Sequence, residues 1–456
     1  MSLESPLRRI EYDDAPVRFF HVRVALASTG GVFSDGFGLG IIGTALGAGA
    51  AELQLSPSWT GLLGGASLAG LFAGALITGP LADHFGRRRI FAYNMGILGV
   101  LSVLQFFVVS HNQLLELRLS IGFMLGTDYV VSKALLTEFT PRRLRGAVMS
   151  LLSVAWAGGF ATAFAVGVAL DHSGPNAWRW MLLASAVPCV LIWPVRITMP
   201  ESPLWLVDHG FGARALEVVR SKLGERVLPP TRGPIDARGQ GRWRQLFSPA
   251  WRRRTLVACA FFTCQVIPYF AVGTFVSQVM AALNSHGGHA GGLLYNASLL
   301  IGAVVGLLLI DRMPRRRFLV GSFAIPAAAM LLLCAFPAVP AGAVFALFAI
   351  FAVSLSAASN LVYVYLPELF PTDLRASGIG LAIAASRIGS AIGTFLLPVM
   401  VEDVGVRSAL ALCVAVLVIG GVTCFLWAPE TWRTHLAGDV AATSADAESP
   451  ASQAEG

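Results

Sequence analysis

Twelve apolar runs, each close to the ~20 residues a helix needs to cross a bilayer, leave this chain of 456 residues few ways to fold. They fall near 22–50, 57–82, 90–110, 115–138, 146–170, 177–197, 254–282, 290–310, 318–337, 341–366, 376–401 and 405–428. Only 13% of residues are charged, against about 25% in a soluble protein. No soluble core accommodates twelve such runs. The expected fold class is an all-α integral membrane protein with twelve transmembrane helices.

The chain also repeats itself. Asp83-His84-Phe85-Gly86-Arg87-Arg88-Arg89 recurs as Asp311-Arg312-Met313-Pro314-Arg315-Arg316-Arg317. Glu138-Phe139-Thr140-Pro141 with Arg145 recurs as Glu368-Leu369-Phe370-Pro371 with Arg375, and Pro200-Glu201-Ser202 as Pro429-Glu430-Thr431. The three motifs keep their order at offsets of 228 to 230 residues. Two pseudo-symmetric six-helix bundles follow. A duplicated apolar chain of this kind places a binding site between halves that rock against each other, as secondary transporters do. The expected parts are an N-terminal segment 1–21, a first bundle 22–197, a linker 198–253, a second bundle 254–432 and a disordered tail 433–456. The linker is rich in Arg, Pro and Gly and carries a short amphipathic helix near 212–223.

Arginines crowd the segments after the second, fourth, sixth and eighth runs, whereas the loops near 51–56, 283–289 and 338–340 have no Lys or Arg. By the positive-inside rule both termini are cytoplasmic. The net charge of +7 is then a topology signal, and no nucleic-acid partner is expected. Residues 1–21 are polar and charged, and the first apolar run is too long for the core of a signal peptide. Cys189, Cys259, Cys264, Cys334, Cys413 and Cys424 all lie within apolar runs, as small buried hydrophobes rather than disulfides or metal ligands. No metal-ligand cluster, phosphate-cradling loop or nucleophile with a matching base is present, so neither a cofactor nor an enzymatic activity is expected. Arginine- and alanine-rich usage points to a GC-rich bacterial source and the inner membrane. A monomer is expected.

Gly79-Pro80-Leu81-Ala82-Asp83 through Arg89 resembles the loop 2–3 signature of the major facilitator superfamily, and Arg118 through Gly122 and Gly126 resembles its helix 4 motif. Pro200-Glu201-Ser202-Pro203 and Pro429-Glu430-Thr431 resemble the sugar-porter branch. The resemblance runs from about 20 to 432 and implies alternating access, with the substrate near the midplane. It also implies a cytoplasmic gate formed by Asp83, Arg87, Glu138, Arg145, Asp311, Arg315, Glu368 and Arg375. Asp83 with Arg145 and Asp311 with Arg375 are the expected cross-helix pairs, with Glu138 and Glu368 as further acceptors. The same residues read without the resemblance only enforce topology. Pro314 replaces the glycine at Gly86, so the second loop is expected to turn differently and hold a weaker latch.

Charges within apolar runs are functional candidates, because each costs at least ~2.5–3.5 kcal/mol near the bilayer centre. At ~1.5 Å per residue, Asp35, Asp128 and Arg387 lie near the midplane. Lys133 lies nearer the cytoplasm and either pairs with a carboxylate such as Glu138 or serves the substrate. It is one of only two lysines. On a helical wheel Arg118, Gly122, Gly126, Tyr129 and Lys133 share a stripe, which the glycines mark as a packing face. Asp128 then faces the cavity. Asp35 and Asp128 are the expected proton carriers. Arg387 either binds an anionic group or balances one of these acids. Gln265 and Tyr269, beside Pro268, which is expected to break its helix, and Asn360 with Tyr363 complete the substrate candidates. Each of these polar residues alternatively satisfies local hydrogen bonds. Asn296 is read the same way, and Trp156 as packing.

Gly126-Thr127-Asp128-Tyr129 is similar to helix 4 of phosphate and organic-anion symporters, and Asp35 through Gly43 resembles helix 1 of aromatic-acid symporters. Those and the sugar porters place an acid where this chain has Gly38. The expected function is proton-coupled import of a small organic anion, such as an aromatic or other carboxylic acid. The alternatives are a sugar or polyol:proton symporter and a non-transporting membrane sensor.

Overall fold

A computed structural model describes residues 10–230, 242–283, 288–336 and 340–431. Among these, twelve helices are long and apolar enough to cross a membrane. In chain order the helices are α1 (Phe19–Gly49), α2 (Pro57–Phe85), α3 (Arg87–Leu104), α4 (His111–Phe139), α5 (Arg142–Leu170), α6 (Ala177–Ala184) and α7 (Ala186–Ile197). The linker contributes α8 (Pro203–Asp208) and α9 (Gly212–Lys222). The second half follows with α10 (Arg252–Thr274), α11 (Val276–Ala282), α12 (Gly288–Leu309), α13 (Arg315–Ala335), α14 (Ala341–Ala358), α15 (Leu361–Glu368), α16 (Thr372–Asp403) and α17 (Val406–Trp427). The sixth span is α6 with α7, broken at Ser185. The tenth run is α14 with α15.

A helix satisfies its own backbone groups, which hydrocarbon does not. Hence the apolar runs become helices, and several continue about a turn into the arginine-rich motifs at Arg87, Arg142, Arg252 and Arg315. Ser56 and Ser110 cap α2 and α4 by accepting from the backbone of Trp59 and Gln113. One expectation fails here. Pro268 does not break α10, because a proline removes a single ladder bond. The interruption comes at Phe275, directly after Thr274, whose carbonyl faces Gly43 of α1 so closely that a Cβ there would overlap it.

The halves meet backbone to backbone on the arginine-poor face. Besides Gly43 and Thr274, Gly65 of α2 lies where a Cβ would stand 2.8 Å from the Ala391 carbonyl of α16. The Phe164 ring of α5 abuts Gly292 of α12. Small residues permit this approach where lipid supplies no hydrophobic drive. Asp171 and His289 pair across the same face at 3.4 Å.

The linker helix expected near 212–223 is α9, which buries Ala215 and Val219. Ile10 of the N-terminal segment forms a parallel bridge with Val227, so that segment is tied to the linker. The expected disordered tail, 433–456, lies outside the described residues, as do 231–241 of the linker.

Candidate functional site

A cavity lies between the halves. The first half supplies Asp35, Tyr129, Ser153 and Trp156, and the second supplies Tyr269, Phe270, Ser356, Ser359, Tyr363 and Arg387. Asp35 is 4% exposed, and its Oδ1 is buried without a hydrogen-bond partner among the described residues. Ser356 Oγ and Arg387 Nε are unpartnered in the same way. Trp156 is stacked on Phe160 and contacts Tyr269 and Phe270 across the half boundary. Ser153 and Ser359 join the halves at 3.0 Å. The site therefore offers hydroxyls, one carboxylate, one guanidinium and aromatic faces.

Of the expected residues, Asp35, Arg387, Tyr269 and Tyr363 line this cavity. Lys133 is not among the lining residues, but its Nζ lies 3.2 Å from the ring centroid of Tyr129 and 4.6 Å from that of Tyr363, two residues that are. Gln265 instead donates to Ser322 at 3.4 Å, and Asn360 donates to the Ala303 carbonyl at 3.1 Å, so both serve helix packing in the second half. Asn296 donates to the Gly292 carbonyl one turn back. Tyr129, expected on the packing stripe of α4, lines the cavity instead; Trp156, read as packing, lines it as well, and the three serines carried no sequence signal.

Asp128 is the larger correction. Gly122 and Gly126 press α4 against the α2 backbone at Ser67 and Leu71. That contact turns Tyr129 toward the cavity and Asp128 away from it. Asp128 meets Arg196 of α7 in a bidentate pair, one arm at 3.0 Å, with both side chains fully buried. Ser132 donates to the same carboxylate at 2.9 Å and Asn94 at 3.4 Å. Arg196 donates to the Ala27 carbonyl at 3.0 Å and lies over the Phe91 ring. Gly31 makes the room, because a Cβ there would overlap the guanidinium. Arg118 is also fully buried and donates to the Gly38 carbonyl at 3.1 Å, the position where the resemblance expects an acid.

On the arginine-rich face the duplicated motifs fold into two like clusters. Arg87 bridges Glu138 and, at 3.4 Å, Asp83. Arg315 bridges Glu368 and Asp311, each at 3.6 Å. Glu201 accepts the Arg88 backbone N–H with both oxygens, at 3.1 and 3.2 Å. Glu430 accepts from Arg315 and Arg316 at 2.9 and 3.2 Å. A carboxylate there satisfies donors a helix start leaves unpaired and meets the positive end of its dipole. The repeated Pro-Glu pairs are thus the caps of α3 and α13.

The expected pairs Asp83–Arg145 and Asp311–Arg375 do not form among the described residues. Asp83 and Asp311 are 71% and 86% exposed. Arg87 and Arg315, each four residues after its acid, lie closer to both carboxylates of their cluster. Arg145 turns to Asp13 at 3.0 Å and Arg375 to the Phe370 carbonyl at 3.4 Å. Tyr12 reinforces the first contact by donating to the Glu138 carbonyl at 2.9 Å. Burial pushes its phenol well above the ordinary value, with Asp13 adding to the effect. The two loops do turn differently, Gly86 at φ 92° and Pro314 at −55°. Even so, the second cluster keeps both of its ion pairs.

Residues 20–438 match the family described as Sugar (and other) transporter. The chain is 38% identical to the inner membrane metabolite transport protein YgcS of Escherichia coli, over 94% of this chain and 95% of that protein. It is 26% identical to the arabinose-proton symporter of Bacillus subtilis, over 91% and 94%. The xylose transporter XylE from E. coli, in a partially occluded inward open conformation, superposes with a TM-score of 0.77 at 18% identity, covering 92% of this chain and all of that one. This last likeness is one of fold.

Proposed function

Because the chain belongs to the sugar (and other) transporter family of the major facilitator superfamily, we propose that it imports a small polyhydroxylated metabolite, a sugar or polyol, together with a proton. It is a multi-pass membrane protein and a secondary transporter of a small solute. The observation that carries the finer reading is Asp35, a carboxylate with an unpartnered oxygen in a cavity walled by both halves. A carboxylate alternately wet and dry changes its proton affinity as the halves rock. Ser153, Ser356 and Ser359 suit substrate hydroxyls, and Trp156 suits the C–H face of a ring. The relative named as an arabinose-proton symporter supports a sugar over an aromatic acid. Asp35 takes the coupling role alone, since Asp128 is closed off by Arg196.

We place the arginine-rich face and both termini in the cytoplasm, and the protein in the inner membrane, as the name of its E. coli relative has it. The arginine-poor face, where the backbones meet, is then the closed outer gate. Uptake of labelled sugars and polyols into proteoliposomes under an acid-outside gradient tests the reading. Asp35→Asn should abolish uphill uptake and spare counterflow. Gradient-driven uptake unchanged in Asp35→Asn removes that residue from coupling, and binding without flux makes the protein a sensor.

A further inference from the structure

Among the described residues the deep charges do not balance. Four cations, Arg118, Lys133, Arg196 and Arg387, lie within the spanning helices against two carboxylates, Asp35 and Asp128. Arg196 and Asp128 satisfy each other. Arg118 donates one arm to the Gly38 carbonyl, its other nitrogens being buried without a partner, and it does not line the cavity. Lys133 and Arg387 have neither arrangement. Among the described residues no carboxylate lies within ion-pair distance of either.

What holds them is aromatic. Lys133 Nζ stands over the Tyr129 ring, and the Arg387 guanidinium lies 5.3 Å from the centroid of the same ring. Phe262 and Phe270 give Arg387 two further faces, at 5.8 and 5.9 Å. Ring faces attract a cation without neutralising it. Arg387 is 7% exposed, and its Nε is buried with no acceptor. A buried cation without counter-charge is costly, so the missing anion is to be sought in the cargo.

We infer that Lys133 and Arg387, both against the Tyr129 ring, form a carboxylate site, and that the substrate is a sugar acid: a polyhydroxylated monoanion. The inference rests on the sugar or polyol reading above and adds the charge. A neutral sugar satisfies the serines and leaves both cations bare. An aromatic acid neutralises the cations and leaves Ser356 Oγ without a partner.

The proton then has a definite consequence. The groups facing Asp35 are Asp128 and Lys133 of α4 and Arg196 and Cys189 of α7. Asp128 and Arg196 are closed on each other, and Asp35 stands beside that pair with its other side on the cavity. One carboxylate and one proton carry no net charge together. Each transport cycle is therefore electroneutral, driven by a pH gradient and indifferent to membrane voltage. One proton with a neutral sugar moves a positive charge and responds to both.

The full-length protein in detergent is screened for thermal stabilisation by D-gluconate, D-glucuronate, D-glucose, D-glucitol and benzoate. Proteoliposomes are then loaded under a potassium–valinomycin potential or a pH gradient. The expected result is stabilisation by the two sugar acids, with uptake driven by the pH gradient and unchanged by the potential. Arg387→Gln and Lys133→Met should each weaken binding of the acids roughly 10- to 100-fold. Stabilisation by glucose or glucitol alone, with voltage-driven uptake and equal affinity in Arg387→Gln, overturns the carboxylate site and leaves the sugar reading standing. Stabilisation by benzoate alone overturns both. The voltage measurement uses the unaltered protein, so the inference is decided even where the variants do not fold.

Discussion

Arg196 and Asp128 form a two-armed ion pair with neither side chain exposed to solvent. Breaking such a pair from one side leaves an uncompensated charge in low dielectric and costs about 3–5 kcal/mol. Asp128→Asn should accordingly lower the melting temperature in detergent strongly, and the double variant Asp128→Leu with Arg196→Met should recover much of the loss. Equal destabilisation by the single and double variants would show that the pair is not what Asp128 contributes.

Gly31 is the steric condition for that pair, since its missing Cβ is where the guanidinium lies. Gly31→Ala should cost about 1–3 kcal/mol through overpacking. Gly38→Ala is the control, because the nearest atom its Cβ would meet is Leu125 Cδ2 at 4.0 Å. Thermal unfolding of both variants checks the contrast.

In the first charged cluster the acids are unequal. Asp83 is 71% exposed and Glu138 only 13%. Asp83→Asn should change stability by no more than about 0.5 kcal/mol, whereas Glu138→Gln strips Arg87 of its buried partner and should cost several times as much. A larger effect from Asp83→Asn would reverse the assignment of the latch.

Glu201 and Glu430 cap equivalent helices, so Glu201→Ala and Glu430→Ala should each cost about 1 kcal/mol or more. Unfolding midpoints that differ widely between them would show that the two caps are not equivalent in strength.

Glu52, in the loop between α1 and α2, accepts from Trp178 Nε1 at 2.6 Å and from Arg179 at 2.8 Å. These hydrogen bonds, that from Trp178 foremost, hold its carboxyl below the ordinary glutamate value. A depressed carboxyl contributes stability above its unfolded pKa and loses it as pH falls through the folded one. The melting-temperature gap between the protein and Glu52→Gln should therefore be present at pH 7 and close in acid below the ordinary glutamate range. A gap constant with pH would point to packing instead.

The sequence reveals what repeats and what has a period. Apolar length announces every span, and the duplicated motifs announce the two halves. Asp35 and Arg387 were legible because a charge inside an apolar run is conspicuous. Arg196 was not, since it ends the sixth run beside an arginine-rich linker and reads as one more topology signal. Asp128 was found, but its direction was not. That depends on which face of α4 packs against Ser67 and Leu71, a relation between helices no single stripe records. Asp13 escaped for a similar reason, because partners more than 130 residues away are set by where the N-terminal segment docks.

On the arginine-rich face, each ion pair described above stays within one half. When the halves tilt, none of these described pairs is pulled apart, and their part in the electrostatic work of that motion is small. The arginine-poor face, closed largely by backbone against backbone, must separate by losing dispersion contacts together with the exposed Asp171–His289 contact. The balance between the two orientations should then respond weakly to ionic strength and strongly to the bulk of side chains placed at Gly43 and Gly65. Adding volume at those two positions would bias the resting population toward the opposite opening without touching a single charge.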